Sequence, residues 1–283
     1  MALVRVDFIS ESLKRPVEFT AILPLDKLGW PGASKPERKP LKTLYLLHGI
    51  LGDHQDWVSG TRVQRWAQER DLAVVMPSGE NGFYLDHPGR GDLQYGEFIG
   101  RELVAFTRDL FPLSRRREDT FIAGLSMGGF GALRNGLRYA DAFGAIGAFS
   151  SALVLESAVS SDESSPLFMG QRSYYESVFG DLSTLLGSDK DPSALLRGLV
   201  ARGEPVPALY VSCGTEDFLL PASRAFRELA ASLGVPATYV EGPGGHDWDF
   251  WDAHIKRFID WLPLAADAAS GMDSGHVGRT DED

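Results

Sequence analysis

Apolar positions alternate with polar ones from Leu3 to Ile9 and cluster again from Val17 to Leu23, with charged and turn-forming residues between the two runs. Such a pair predicts an antiparallel hairpin at the edge of a sheet. From Thr43 onward the rhythm changes to short aliphatic runs separated by longer segments with apolar residues at helical spacing. The short runs predict strands at Thr43–His48, Leu72–Met76, Thr120–Ala123, Ala142–Phe149, Ala208–Cys213 and Ala237–Glu241. The longer segments predict helices at Val63–Arg70, Glu97–Phe111, Phe130–Tyr139, Pro221–Leu233 and Trp248–Leu262. Strand and helix in alternation specify an α/β fold, with a mainly parallel sheet covered by helices on both faces and joined by right-handed crossovers.

Three segments depart from that rhythm. Trp30 to Lys42 is proline- and lysine-rich and reads as an exposed loop. Ser157 to Pro205 is rich in Ser, Asp and Gly, with short helical pieces at Tyr174–Phe179 and Ser193–Ala201. It is expected to be a cap inserted near the site, an ordinary surface excursion being the alternative. Residues 266–283, ending Thr280-Asp281-Glu282-Asp283, are too polar to join a core and are expected to form a disordered tail. Residues 1–265 then make one domain.

The chemistry begins at Gly124-Leu125-Ser126-Met127-Gly128, a G-x-S-x-G pentapeptide between a strand-like run and a helix-like one. A serine at such a strand-to-helix turn is held in a strained, positive-φ conformation, and the neighbouring chain passes so close that only glycines fit. Gly124, Gly128, Gly129 and Gly131 supply that room. The helix that follows aims free N–H groups at the place where an oxyanion would form.

A serine hydroxyl needs a base within hydrogen-bond reach and a third group to hold the base. In sheets of this kind the chain order is Ser, acid, His, with the later two on loops after later strands. His246 lies in Gly242-Pro243-Gly244-Gly245-His246, directly after a predicted strand, and is the expected base. His254 falls within a helix, His276 in the tail, and His48, His54 and His87 precede the serine. For the acid, Glu216 and Asp217 stand side by side after the strand Ala208–Cys213, while Asp247 and Asp249 suit a helix start. The Met127 N–H supplies one oxyanion donor. The second comes from the loop His48-Gly49-Ile50-Leu51-Gly52, with Ile50 ahead of Leu51 and His48 bracing the loop. Trp57 follows the HG loop, Tyr84 lies in the loop Asn81-Gly82-Phe83-Tyr84, and Trp248 and Trp251 follow His246; these are candidate substrate-binding residues, core packing being the alternative for each. His54 with Asp53 and Asp56 lacks the further ligands of a metal site, and Arg115-Arg116-Arg117 reads as a solvated face.

Composition narrows the partners. The 283 residues carry a formal net charge of −11, which disfavours nucleic acid and anionic membrane surfaces and suits a small neutral substrate. The lone Cys213 ends a buried strand and has no partner for a disulfide. Met1 to Arg15 is interrupted by charges, unlike a signal peptide, and Ala142–Leu155 is too short to span a bilayer, so cytoplasmic residence is the expectation.

Taken together, His48-Gly49-Ile50-Leu51-Gly52 with Trp57, Met76-Pro77 with Asn81-Gly82, Phe121 to Gly129, Gly180-Asp181 and Gly245-His246-Asp247-Trp248 resemble the esterase D group of α/β-hydrolases. The resemblance spans nearly all of Met1 to Leu262. It implies an α/β-hydrolase fold, a Ser126, Asp217, His246 triad with Ile50 and Met127 as oxyanion donors, and no cofactor or metal. It also implies assembly as dimers or tetramers, although no segment of the sequence marks a homo-oligomer interface. The group includes S-formylglutathione hydrolases, tributyrin-type and acetyl esterases, feruloyl esterases and mycolyltransferases. The glutathione-thioester branch carries a cysteine soon after the HG loop where this chain has Gly52-Asp53-His54, so the similarity is greater to the tributyrin or acetyl esterases. A serine carboxylesterase for short acyl esters is the expectation.

Overall fold

The computed structural model describes residues 1–28 and 39–264. Its strands are β1 (Ala2–Ser10), β2 (Arg15–Leu23), β3 (Lys42–Leu47), β4 (Leu72–Pro77), β5 (Thr120–Leu125), β6 (Ala145–Phe149), β7 (Ala208–Gly214) and β8 (Ala237–Gly242). They form one sheet in the order β1-β2-β4-β3-β5-β6-β7-β8. β1 pairs antiparallel with β2 from Ala2↔Leu23 to Ser10↔Arg15, and β2 runs antiparallel to β4. Every remaining pairing is parallel. The expected edge hairpin and mainly parallel sheet are both present.

Burial explains why the central strands read as unbroken apolar runs. Each residue of β4, β5 and β6 is buried, because helices cover both faces of the sheet. Along β3 the period of two sorts side chains between two cores: Tyr45 and Leu47 join Ile122, Phe130 and Phe143 on one face, while Leu44 and Leu46 join Trp57, Phe149 and Phe258 on the other.

Two boundaries differ by three residues from the sequence reading. The strand expected from Ala142 begins at Ala145, and Phe143 instead sits in a buried turn with its ring edge-on to Tyr45. A Cβ on Gly144 would lie 2.8 Å from the Arg117 carbonyl oxygen, so the chain there hugs the preceding loop. The helix expected from Phe130 begins three residues earlier, spanning Met127–Arg138.

The segment 157–205 carries helices Arg172–Phe179 and Pro192–Ala201. It is tied to the body by Arg134, fully buried, which donates to the Asp189 carboxylate at 2.9 Å and its carbonyl at 3.1 Å. The tail expected at 266–283 and most of the loop from Trp30 lie outside the described residues. Among the described residues, no helix is long and apolar enough to cross a membrane.

Candidate active site

Ser126 stands at the joint between β5 and the helix Met127–Arg138, with φ 52° and ψ −118°. A non-glycine residue in that region costs about 1–3 kcal/mol and persists only when its surroundings hold it. They do so through the backbone: the Ser126 N–H donates to Phe149 O at 2.9 Å, and its carbonyl accepts from Phe130 and Ala152 N–H, both at 3.0 Å. The turn also needs glycine at two close approaches. A Cβ on Gly124 would fall 2.4 Å from the Gly128 backbone, and one on Gly128 would fall 2.4 Å from Leu47 O. The hydroxyl therefore stands at the carboxyl end of the parallel strands, where α/β sheets place ligands.

Loops after two later strands bring the partners. The Ser126 hydroxyl and His246 Nε2 lie 2.9 Å apart, and His246 Nδ1 lies 2.9 Å from Asp217 Oδ2. The carboxylate can only accept from Nδ1, so the ring carries its proton there and offers the Nε2 lone pair to the hydroxyl. Asp217 is buried, which by itself would raise its pKa. Hydrogen bonds from His246, the Leu219 N–H and Ser150 outweigh that and hold the carboxyl below its usual range. Glu216, the alternative acid, turns outward and accepts the Gly244 N–H at 2.6 Å. Asp247 accepts from Phe250 N–H as the N-cap of the helix Trp248–Trp261.

The HG loop follows β3. His48 is buried and braced on both nitrogens: Nε2 accepts the Gly79 N–H at 2.8 Å, so Nδ1 carries the proton and donates to Gly49 O at 2.6 Å. Burial pushes the His48 pKa down and keeps it neutral. A trans peptide points its C=O and N–H in opposite directions, so a Gly49 carbonyl held by His48 aims the Ile50 N–H the other way. Leu51, the other candidate donor, has its N–H committed to Asn81 Oδ1 at 2.8 Å. Met127 opens the helix after Ser126, where N–H groups have no partner within the helix.

The aromatic residues require a correction. Trp57 and Tyr84, expected to line a substrate pocket, are 1% and 0% exposed and belong to the core. The Trp57 Nε1–H donates to Leu47 O at 2.9 Å, and the Tyr84 hydroxyl donates to His48 O at 3.0 Å. Both prop the HG loop from beneath. Trp248 is half-buried, edge-on to Trp57 at 5.6 Å and to Trp251 at 5.3 Å. Trp251 continues the row to His246, with ring centroids 5.0 Å apart, and its Nε1–H donates to Ser150 Oγ at 3.2 Å.

Phe218 has no place among the sequence candidates and Leu51 only that of an alternative oxyanion donor, yet their side chains are 73% and 72% exposed, one next to Asp217 and the other next to Ile50. The Phe218 ring sits 4.9 Å from the His246 ring. The sequence signal for Phe218 is its place directly after Asp217. His54 lies apart from this group, between Thr20 and Glu18. Among the described residues, no group of three or more His, Cys, Asp or Glu is placed to hold a metal ion. Cys213 is buried, which raises its thiol pKa to about 11 and leaves it unreactive.

Known proteins are similar to this one over nearly the whole chain. The model of the Esterase family matches residues 10–261. An acetyl esterase of Caldicellulosiruptor saccharolyticus is 42% identical over 267 residues, covering 94% of this chain and all of that protein. Among solved structures, the fluorophosphonate-binding serine hydrolase F of Staphylococcus aureus, substrate bound, is 32% identical with a TM-score of 0.80, covering 92% of this chain and 98% of that one. An S-formylglutathione hydrolase of Staphylococcus aureus gives 32% identity and a TM-score of 0.79 over the same shares. An unbroken family match joined to 42% identity over 94% of the chain places this protein in the Esterase family, as a serine carboxylic ester hydrolase with an α/β-hydrolase fold.

Proposed function

We propose that the protein hydrolyses short-chain acyl esters, acetyl to butyryl, through an acyl-enzyme on Ser126. The observation that carries this reading is the hydrogen-bonded line Asp217, His246, Ser126, with 2.9 Å at each step. His246 Nε2 takes the hydroxyl proton as Ser126 Oγ attacks the ester carbonyl, and the N–H groups of Ile50 and Met127 stabilise the tetrahedral oxyanion. The C–O bond to the alcohol then breaks, and the departing oxygen takes the proton from His246. A water molecule repeats the sequence on the acyl-enzyme and frees the acid.

Acetyl specificity is supported by the similarity to an acetyl esterase. Apolar Phe218, exposed next to the His246 ring, and exposed Leu51 in the HG loop offer surface for an uncharged ester, with half-buried Trp248 as a further contact. Segment 157–205 acts as the cap over a single domain. Cytoplasmic residence belongs to the same proposal, supported by one buried thiol that needs no oxidising compartment.

Turnover of p-nitrophenyl acetate by wild type and not by Ser126→Ala tests the reading; equal rates would sink it. A thioester hydrolase is the second reading, on the similarity to an S-formylglutathione hydrolase. Comparing kcat/KM for S-formylglutathione with values for acetyl, propionyl and butyryl esters separates the two. Product analysis with added alcohol separates hydrolysis from acyl transfer.

A further inference from the structure

The oxyanion donor assigned above is a single backbone N–H in a loop, and such a donor acts only if the loop cannot swing. Two peptide planes flank the Ile50 Cα. The Gly49–Ile50 plane is held by His48 Nδ1 on the Gly49 carbonyl. The Ile50–Leu51 plane is held by a group far off in sequence: Leu51 N–H donates to Asn81 Oδ1 at 2.8 Å, across 30 residues. Leu51 pays for that bond with a left-handed backbone, φ 67°, which a side-chain-bearing residue adopts only when something retains it. Asn81 is itself clamped, since its carbonyl accepts the Tyr174 hydroxyl at 2.7 Å. Tyr174 lies in the helix Arg172–Phe179 of segment 157–205, half-buried, with its ring edge-on to Phe168.

We infer that Asn81 is a positioning residue for the Ile50 oxyanion donor, and that Tyr174 places this donor under the control of segment 157–205. Neither side chain touches the reacting atoms. With Asn81 truncated, Leu51 relaxes out of the left-handed region and the Ile50–Leu51 peptide turns, so the Ile50 Cα is held from the Gly49 side alone and its N–H shifts with it. Tyr174 acts one step behind, by fixing the backbone from which the Asn81 amide reaches. The segment is thereby part of the catalytic alignment as well as a cover.

This inference rests on the esterase reading, so wild type and Ser126→Ala are compared on p-nitrophenyl acetate first; absence of a difference there overturns the function and is seen before any other variant is measured. The test proper takes Asn81→Ala, Tyr174→Phe and the double variant, each checked for an intact fold by its thermal midpoint. It measures kcat, KM and the inhibition constant of an aryl trifluoromethyl ketone, whose adduct with the serine carries an oxyanion. Losing an oxyanion donor outright costs about 100- to 1,000-fold. A misaimed donor costs less: Asn81→Ala is expected to lower kcat by about 10- to 100-fold and Tyr174→Phe by about 3- to 10-fold. KM stays within about twofold and the ketone's inhibition constant rises in step with the fall in kcat, as expected when only transition-state stabilisation is lost. Because Tyr174 works through Asn81, the double variant should be no slower than Asn81→Ala. Additive losses overturn the link to Tyr174, and an unchanged kcat and inhibition constant in Asn81→Ala overturns the whole inference. Should Asn81→Ala fail to fold, Tyr174→Phe decides alone: a lowered kcat with matched weakening of the ketone supports the inference, and unchanged values reject it.

Discussion

Glu216 and Gly244 hold each other twice: the Glu216 N–H donates to Gly244 O at 3.1 Å, and the Gly244 N–H donates back to Glu216 Oε2 at 2.6 Å. The first residue precedes Asp217 and the second lies two before His246, so this exchange locks the Asp217 loop to the His246 loop. Gly244 takes φ 134°, and a Cβ on Gly214 would come within 2.0 Å of its carbonyl oxygen, so the two loops are as close as backbone permits. Glu216→Ala should lower kcat about tenfold with little change in KM, because a displacement of the imidazole by a fraction of an ångström weakens proton transfer while leaving binding intact. Glu216→Gln, which keeps an oxygen acceptor for the Gly244 N–H, should stay within about threefold of wild type. Steady-state kinetics on one ester checks both, and equal rates for the Ala and Gln variants would refute the clamp.

Asp217→Asn tests the tautomer argument. An amide can donate to Nδ1, which would move the ring proton to Nε2 and remove the lone pair facing Ser126. The expected loss in kcat is about 1,000- to 10,000-fold, with the fold retained because the amide still fills the buried site. A loss below tenfold would show that Asp217 does not govern the histidine.

How much of this arrangement could be read from the chain depends on whether a signal is local. Strands buried on both faces leave unbroken apolar runs, so β4, β5 and β7 stood out at close to their true limits. The helix after Ser126 did not, because Gly128 and Gly129 are poor helix formers. Their presence is dictated by β3 and the loop after β6, which pass too close for any Cβ. Asp217 and Glu216 are neighbours of the same chemical type, and only burial separates them: one faces His246, the other the outside. Trp57 and Tyr84 follow functional loops in sequence, yet each points beneath its loop, an orientation set by packing between strand and helix. Asn81 stood within a recognisable Asn-Gly pair, but its bond to Leu51 is a through-space contact that no spacing rule encodes.

Gly128→Ala should destabilise the protein and dislodge the nucleophile together. Its Cβ would meet Leu47 O at 2.4 Å and His48 O at 2.5 Å, backbone atoms that have no rotamer to escape into. Overpacking of this kind costs about 1–3 kcal/mol, and relieving it means shifting β3 or tilting the helix that carries Ser126. Thermal midpoint and kcat should therefore fall together. Gly82→Ala is the control, since a Cβ there meets nothing within 4 Å, and it should change neither. Were both alanine variants equally stable, the close approach would not constrain the helix.

Acid should weaken the fold through His254, on the helix Trp248–Trp261 and remote in role from catalysis. Its ring is 3% exposed, stacked on Phe250 at 3.8 Å between centroids, and its Nδ1 has no hydrogen-bond partner. Burial first, and then the Arg257 charge, push its pKa down to about 4. The folded pKa lies below that of an unfolded histidine, about 6.5, so between the two values the unfolded chain binds the extra proton. Stability is therefore unaffected by this residue above about pH 6.5 and falls by about 1.4 kcal/mol per pH unit as acid is added, until the folded ring also protonates near pH 4. Carboxylates titrate in the same range, so the informative quantity is a difference: urea unfolding of wild type and His254→Leu at pH 7, 5.5 and 4.5. The variant should lose less stability than wild type across that range, by about 2–3 kcal/mol at the acid end. Parallel losses in the two proteins would mean that the buried imidazole does not set the acid limit.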